Sequence, residues 1–85
     1  MNDFLLFIAD LLKRFPVHVE IEYNKTADWT ILVYKTGCSE HEFQGAQRVD
    51  GEVMICLVQD LDMELCFAKA HVAVKNWLLE YWGGY

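Results

Sequence analysis

The chain is poor in the residues that break or cross-link a fold. Its 85 residues include one proline, five glycines and three cysteines. Because an odd cysteine count does not suit a disulfide framework, Cys38, Cys56 and Cys66 are expected to be reduced thiols in a cytoplasmic protein. No apolar run approaches the roughly 20 residues that a membrane helix needs, and no basic residue precedes the apolar stretch 4–9 as in a secretory signal. We therefore expect no membrane association.

Basic residues are also scarce. Seven Lys and Arg oppose thirteen Asp and Glu, which gives a net charge of −6 and a pI near 4.8. Such a surface repels nucleic acid and anionic lipid, and it attracts basic partners. Hydrophobic residues make up 54% of the chain and aromatic residues 14%. That is enough to fill the core of a single domain spanning 1–85, and it excludes intrinsic disorder.

Hydrophobic periodicity predicts a helix near each end of the chain and strands between them. Pro16 should end the first helix, Gly45 interrupts the weakest strand, and Asp50-Gly51 suits a tight hairpin turn. The predicted elements are a helix at 3–15, strands at 17–24, 29–36, 40–49 and 52–59, and a helix at about 62–82. The order α-β-β-(β)-β-α predicts an α+β fold, an antiparallel three- to four-stranded meander with two terminal helices packed on one face.

The last helix carries two apolar stripes at helical spacing. The broader one suits burial against the sheet. The second stripe consists of Leu65, Ala68, Val72 and Leu79. It needs a cover of its own, which is either the first helix or another subunit or partner. The second cover defines one functional hypothesis, a homo-oligomeric structural or interaction protein.

The acidic residues are spaced in a regular way. Nine of the thirteen stand two apart, in the sets 20/22, 40/42, 50/52 and 60/62/64. On a strand this spacing puts both carboxylates on one face, about 7 Å apart. A row of that kind can engage a basic surface. The candidate partner-binding residues are Glu20, Glu22, Glu40, Glu42, Asp60, Asp62 and Glu64.

The element order resembles that of double-stranded RNA-binding domains, whose last helix begins with a basic cluster that grips phosphates. Asp60, Asp62 and Glu64 stand at that place here, so direct nucleic-acid binding is not expected. The inverted charge motivates a sharper hypothesis, a nucleic-acid mimic that blocks a nucleic-acid-binding protein. In size and charge the chain is similar to small acidic inhibitors encoded by phages and mobile elements.

Motifs for catalysis or metal binding are sparse. Cys38-x-x-His41 has the spacing of half a zinc site, and no second close pair completes it. No nucleophile, phosphate-loop or metalloprotease motif is present. We expect no metal, no cofactor and no catalytic residues. The leading hypothesis is a small acidic, non-catalytic binding protein, monomer or homodimer, that engages a basic partner protein.

Overall fold

The computed structural model describes residues 2–24, 28–39 and 41–83. Its elements are α1 (Asn2–Leu11), β1 (His18–Tyr23), β2 (Trp29–Lys35), β3 (Arg48–Val49), β4 (Glu52–Asp60) and α2 (Met63–Tyr81). The predicted α+β class, with four antiparallel strands between two helices, is confirmed. Glu40, one of the candidate partner-binding residues, lies outside the described residues.

The strand order differs from the consecutive order of a meander. It is β1-β2-β4-β3, with every neighbouring pair antiparallel. Asp50 and Gly51 both have positive φ, 53° and 81°, and they form the predicted two-residue turn that joins Val49 to Glu52. β2 already pairs with β4 on one side. The hairpin therefore places β3 on the other side of β4, at the edge of the sheet.

Two predicted boundaries were wrong. The weak strand expected at 40–49 shrinks to Arg48–Val49, and residues 41–45 form a turn instead. Phe43 and Gly45 have φ of 51° and 90°, in the left-handed region, which a strand does not accommodate. The first helix ends at Leu11 rather than at residue 15. The chain continues into tighter turns, in which the Lys13 N–H donates to the Asp10 carbonyl at 3.2 Å and the Arg14 N–H to the Leu11 carbonyl at 2.9 Å. Phe15 still donates its backbone N–H to the Leu11 carbonyl at 2.8 Å.

The core lies on the helix side of the sheet. β2 contributes Ile31 and Val33, which are buried against the apolar arc of α2. α1 packs against α2, where Phe4 meets Phe67 edge-on at 5.6 Å between ring centroids. The buried residues of α2 are Cys66, Phe67, Ala70, Val74, Trp77 and Leu78. Both helices thus contribute to one core, and no helix in the described ranges is both long and apolar enough to cross a bilayer.

The opposite side of the sheet carries no helix in the described part of the chain. Residues directly opposite each other on antiparallel strands point to the same side, so the pairing registers define this face. Glu20 pairs with Leu32, and Leu32 pairs with Leu57. The residues of this open face are His18, Glu20, Glu22, Thr30, Leu32, Tyr34, Val49, Glu52, Met54, Leu57 and Gln59.

Candidate protein-docking face

The centre of the open face is apolar. Leu57 is 59% exposed although it lies in the middle of β4. Beside it, Leu32 and Tyr34 are half-buried, and Tyr34 lies opposite Met54. A shallow cavity of about 220 Å³ opens here, lined by Glu20, Leu32, Tyr34, Val49, Glu52 and Met54. Exposed apolar groups inside a polar rim are typical of a surface that binds another protein.

Carboxylates border this apolar centre. The Tyr34 hydroxyl donates to Glu20 Oε1 at 3.5 Å, a long hydrogen bond. Partial burial raises the pKa of Tyr34, and the negative charges of Glu20 and Glu52 raise it further. Both carboxylates therefore act on the same phenol from neighbouring strands. Glu22 follows on β1, opposite Thr30, and extends the acidic border.

No Lys or Arg neutralises this border within the described strands. Lys35 belongs to the helix side, where its Nζ lies 5.3 Å from the centre of the Phe15 ring. Arg48 donates to the backbone carbonyls of Ser39, at 3.1 Å, and of Glu42. The imidazole of His18 lies on the open face and stacks on Tyr34, with 5.2 Å between ring centroids. Among the described strand residues, the open face therefore has carboxylates and no Lys or Arg.

The acidic set at the start of α2 has structural partners instead. Asp62 caps the helix by accepting the Leu65 N–H at 2.9 Å. Asp60 accepts the Asp62 N–H at 2.8 Å and forms an ion pair with Lys69. The hydrogen bond from Lys69 is the main reason why the pKa of Asp60 is lowered. Glu64 lies in the first turn of α2, where a negative charge favours the helix.

The predicted acidic residues therefore do not form one continuous row. Asp60 lies opposite Trp29 at one end of β2, whereas Glu42 belongs to the turn that follows the other end. Glu42 accepts the Ser39 N–H at 3.3 Å. Of the seven candidates, Glu20 and Glu22 lie together on the open face. Glu52 joins them on this face, although it is not one of the seven candidates.

The second stripe of α2 is exposed. Leu65, Val72 and Leu79 are 52%, 60% and 69% accessible, and Ala68 between them is exposed as well. α1 lies instead on the neighbouring side of α2, where Phe7 stacks on His71 with 4.6 Å between ring centroids. Cover by the first helix, one of the two alternatives, is therefore wrong. The stripe remains available to a second subunit.

The thiols have structural environments. Cys38, Cys56 and Cys66 are all free, and the last two are buried. Burial raises the pKa of Cys56 to about 12, which disfavours the thiolate needed for nucleophilic attack or metal binding. The Cys66 thiol donates to the Trp29 carbonyl at 3.4 Å. Within residues 2–24, 28–39 and 41–83, no three His, Cys, Asp or Glu side chains are grouped as metal ligands.

Comparison of the chain with protein-family models, with curated proteins and with solved structures yields no match. Function is therefore inferred from the geometry of the surface alone.

Proposed function

We propose that this protein is a non-catalytic interaction domain that binds a basic partner protein through its open sheet face. One observation supports this most directly. Glu20, Glu22 and Glu52 border an exposed apolar centre on a face whose described strand residues include no Lys or Arg. The complementary partner surface has apolar side chains surrounded by Lys and Arg.

The two parts of the face have different roles in binding. The net charge of −6 and the acidic border attract and orient a basic partner, which speeds association at low ionic strength. Contact with Leu32, Tyr34 and Leu57 then removes apolar surface from water and slows dissociation. Charge at the rim of an interface mainly affects association, so binding weakens as salt rises.

The sharper hypothesis of a nucleic-acid mimic needs an extended row of free carboxylates. Among the described candidates, Glu20 and Glu22 keep that spacing on a strand, whereas Asp60 and Asp62 are bound within the fold. The geometry therefore favours a compact docking face over a row that imitates a phosphate backbone. Relationship to phage or mobile-element inhibitors stays a prediction.

The test is affinity capture from lysate of the source cells at low and high salt. A rim variant carries Glu20→Lys, Glu22→Lys and Glu52→Lys. Its matched control reverses three acidic charges elsewhere, with Asp10→Lys, Asp28→Lys and Glu64→Lys. We expect the wild type and the control to capture the same basic protein at low salt, and the rim variant to lose it. Capture that is indifferent to salt, or equal in both variants, would reject the proposal.

The exposed stripe of α2 favours a second candidate function, a homo-oligomer. Leu65, Val72 and Leu79 present about half or more of their surface to solvent on one side of a single helix. Burying such a stripe between two copies would remove it from water. Light scattering on the purified protein tests this. A dimer abolished by Val72→Glu or Leu79→Glu supports it, and a monomer at all accessible concentrations rejects it.

A further inference from the structure

β4 has an edge that is only partly covered. The strand runs over nine residues, Glu52–Asp60, but β3 pairs with Glu52 and Val53 alone. One further hydrogen bond, from the Met54 N–H to the Gln47 carbonyl, measures 2.9 Å. No other described strand pairs with this side of residues 55–60. The backbone groups that point outward there are left to solvent or to another chain.

This edge lacks two of the usual protections against pairing, charged residues and proline. Proteins commonly place charged residues or proline on exposed edge strands to prevent strand addition. β1, the opposite edge of the sheet, carries Glu20 and Glu22. From Val53 to Gln59, β4 has no charged residue and no proline. A bulge opposite Val33 and Tyr34 interrupts its first half, and the second half keeps a regular register.

A groove runs beside the uncovered edge. It has a volume of about 500 Å³ and lies between β4 and the C-terminal part of α2, lined by Gln47, Met54, Ile55, Cys56, Leu57, Trp77, Glu80 and Tyr81. The Tyr81 hydroxyl donates to the Gly45 carbonyl at 3.4 Å, which ties the helix to the 41–45 turn at this place. Glu80 forms no ion pair with a cation of the described residues.

We propose that this groove binds an extended segment of a partner polypeptide, which adds to β4 as a further strand. The outward-pointing backbone groups of residues 55–60, on the side away from β2, supply the hydrogen bonds, and the groove receives alternate side chains of the segment. Trp77 and Tyr81 favour an apolar side chain, and Glu80 favours a lysine or arginine beside it. The groove adjoins the open face, and Met54 and Leu57 belong to both, but the site uses the strand edge and Glu80 rather than the acidic border of Glu20, Glu22 and Glu52.

The probe is a fluorescein-labelled peptide of about nine residues that alternates valine with lysine and threonine, a length that matches a typical strand. Its control has the same sequence with alternate backbone nitrogens methylated, which removes hydrogen-bond donors and keeps the side chains and charge. We expect saturable binding to the full chain, weakened about tenfold or more by methylation because two or more backbone hydrogen bonds are lost. Equal binding of both peptides, or no binding, would overturn the proposal.

Backbone amide shifts in NMR spectra locate the bound peptide. Shifts concentrated on residues 55–60 and on the Trp77 indole support strand addition. Shifts confined to Glu20, Leu32 and Tyr34 overturn it while supporting the open-face proposal, so the two proposals fail separately.

Glu80→Gln should weaken binding of the lysine peptide several-fold, whereas Glu64→Gln, with the same charge change on the same helix, should leave it unchanged. A concentration-dependent dimer whose interface is this edge would show that a second copy, not a partner segment, occupies it.

Discussion

Two acidic regions of this chain share a spacing and differ in what they do. On β1, Glu20 and Glu22 lie two residues apart on a regular strand, and both carboxylates face outward beside an apolar centre. At the junction of β4 and α2, Asp60 and Asp62 have the same spacing. There the chain changes from strand to helix, and the carboxylates bind the backbone N–H groups of Asp62 and Leu65.

The difference shows that spacing alone does not make a binding surface. In a strand, the backbone N–H and C=O groups form hydrogen bonds with the neighbouring strand, so the side-chain carboxylates do not bind them. The first turn of a helix has unpaired N–H groups, and nearby carboxylates accept them. Lys69, one helical turn further along, adds an ion pair to Asp60. We therefore propose binding as the role of the β1 acids and stability as the role of the junction acids.

The largest expected effect is the loss of the helix cap. Asp62→Ala should lower the free energy of unfolding by about 1 kcal/mol, within a range of about 0.5–2 kcal/mol, because the Leu65 N–H loses its acceptor. Urea denaturation monitored by circular dichroism measures this. Asp62→Asn is the matched control, since asparagine also caps helices, and it should retain most of the stability. An Asp62→Ala variant as stable as the wild type would remove the distinction between the two regions.

The second effect depends on pH. Because the pKa of Asp60 is lowered in the folded state, its charged form stabilises the fold at pH values above the unfolded pKa of about 3.9. That contribution is lost as the pH falls through the lower, folded-state pKa. Asp60→Asn should therefore be less stable than the wild type near neutral pH, and the difference should shrink in acid.

Stability curves measured from neutral pH down to strongly acidic pH test this. Asp10→Asn serves as the comparison, because its carboxylate is 53% exposed and lies 3.8–3.9 Å from Lys13 and Arg14. Such exposed pairs contribute little. A pH dependence as large for Asp10→Asn as for Asp60→Asn would contradict the assignment of Asp60.

A smaller effect is expected on the open face. Glu20→Gln and Glu22→Gln should each change the free energy of unfolding by no more than about 0.5 kcal/mol, as usual for exposed positions. Both should still weaken capture of the basic partner, and Glu64→Gln should not. A clear loss of stability in either variant would assign the β1 acids to the fold rather than to binding.

The smallest effect is spectroscopic. Removing the charge of Glu20 or Glu52 should lower the pKa of Tyr34 towards the ordinary tyrosine value, because both carboxylates raise it. The partial burial of the ring should keep it above that value. Ultraviolet titration of the phenol measures the shift. Glu22→Gln is the control, since Glu22 does not contribute to the raised pKa of Tyr34, and a shift as large in this variant would contradict the arrangement.

Local chemistry made much of the fold predictable. The Asp50-Gly51 turn and the placement of Glu20 and Glu22 on one face of β1 depend on residues a few positions apart, and the structure contains both. The weak strand at 40–49 could not be identified as a turn. Its outcome depends on positive φ at Phe43, and nothing about phenylalanine indicates such a conformation.

The candidate site was predictable only in part. Glu20 and Glu22 could be placed on one face from their spacing, but the apolar centre beside them comes from β2 and β4. Leu57 belongs to a run that is apolar on both sides, so the sequence could not show which residues would be exposed. Glu52 reaches the site because β4 lies next to β2, which is a question of strand order.

By itself, the sequence determined the helices at both ends, the antiparallel strands, the acidic surface and the apolar arc of α2, because periodicity and charge act over short stretches of chain. Only the tertiary structure decided the order β1-β2-β4-β3, the uncovered edge of β4 and the exposure of the second α2 stripe. These features depend on which distant segments pack together around the core. A different strand neighbour would leave every local preference for helix, strand or turn unchanged, but it would expose a different set of surfaces to water.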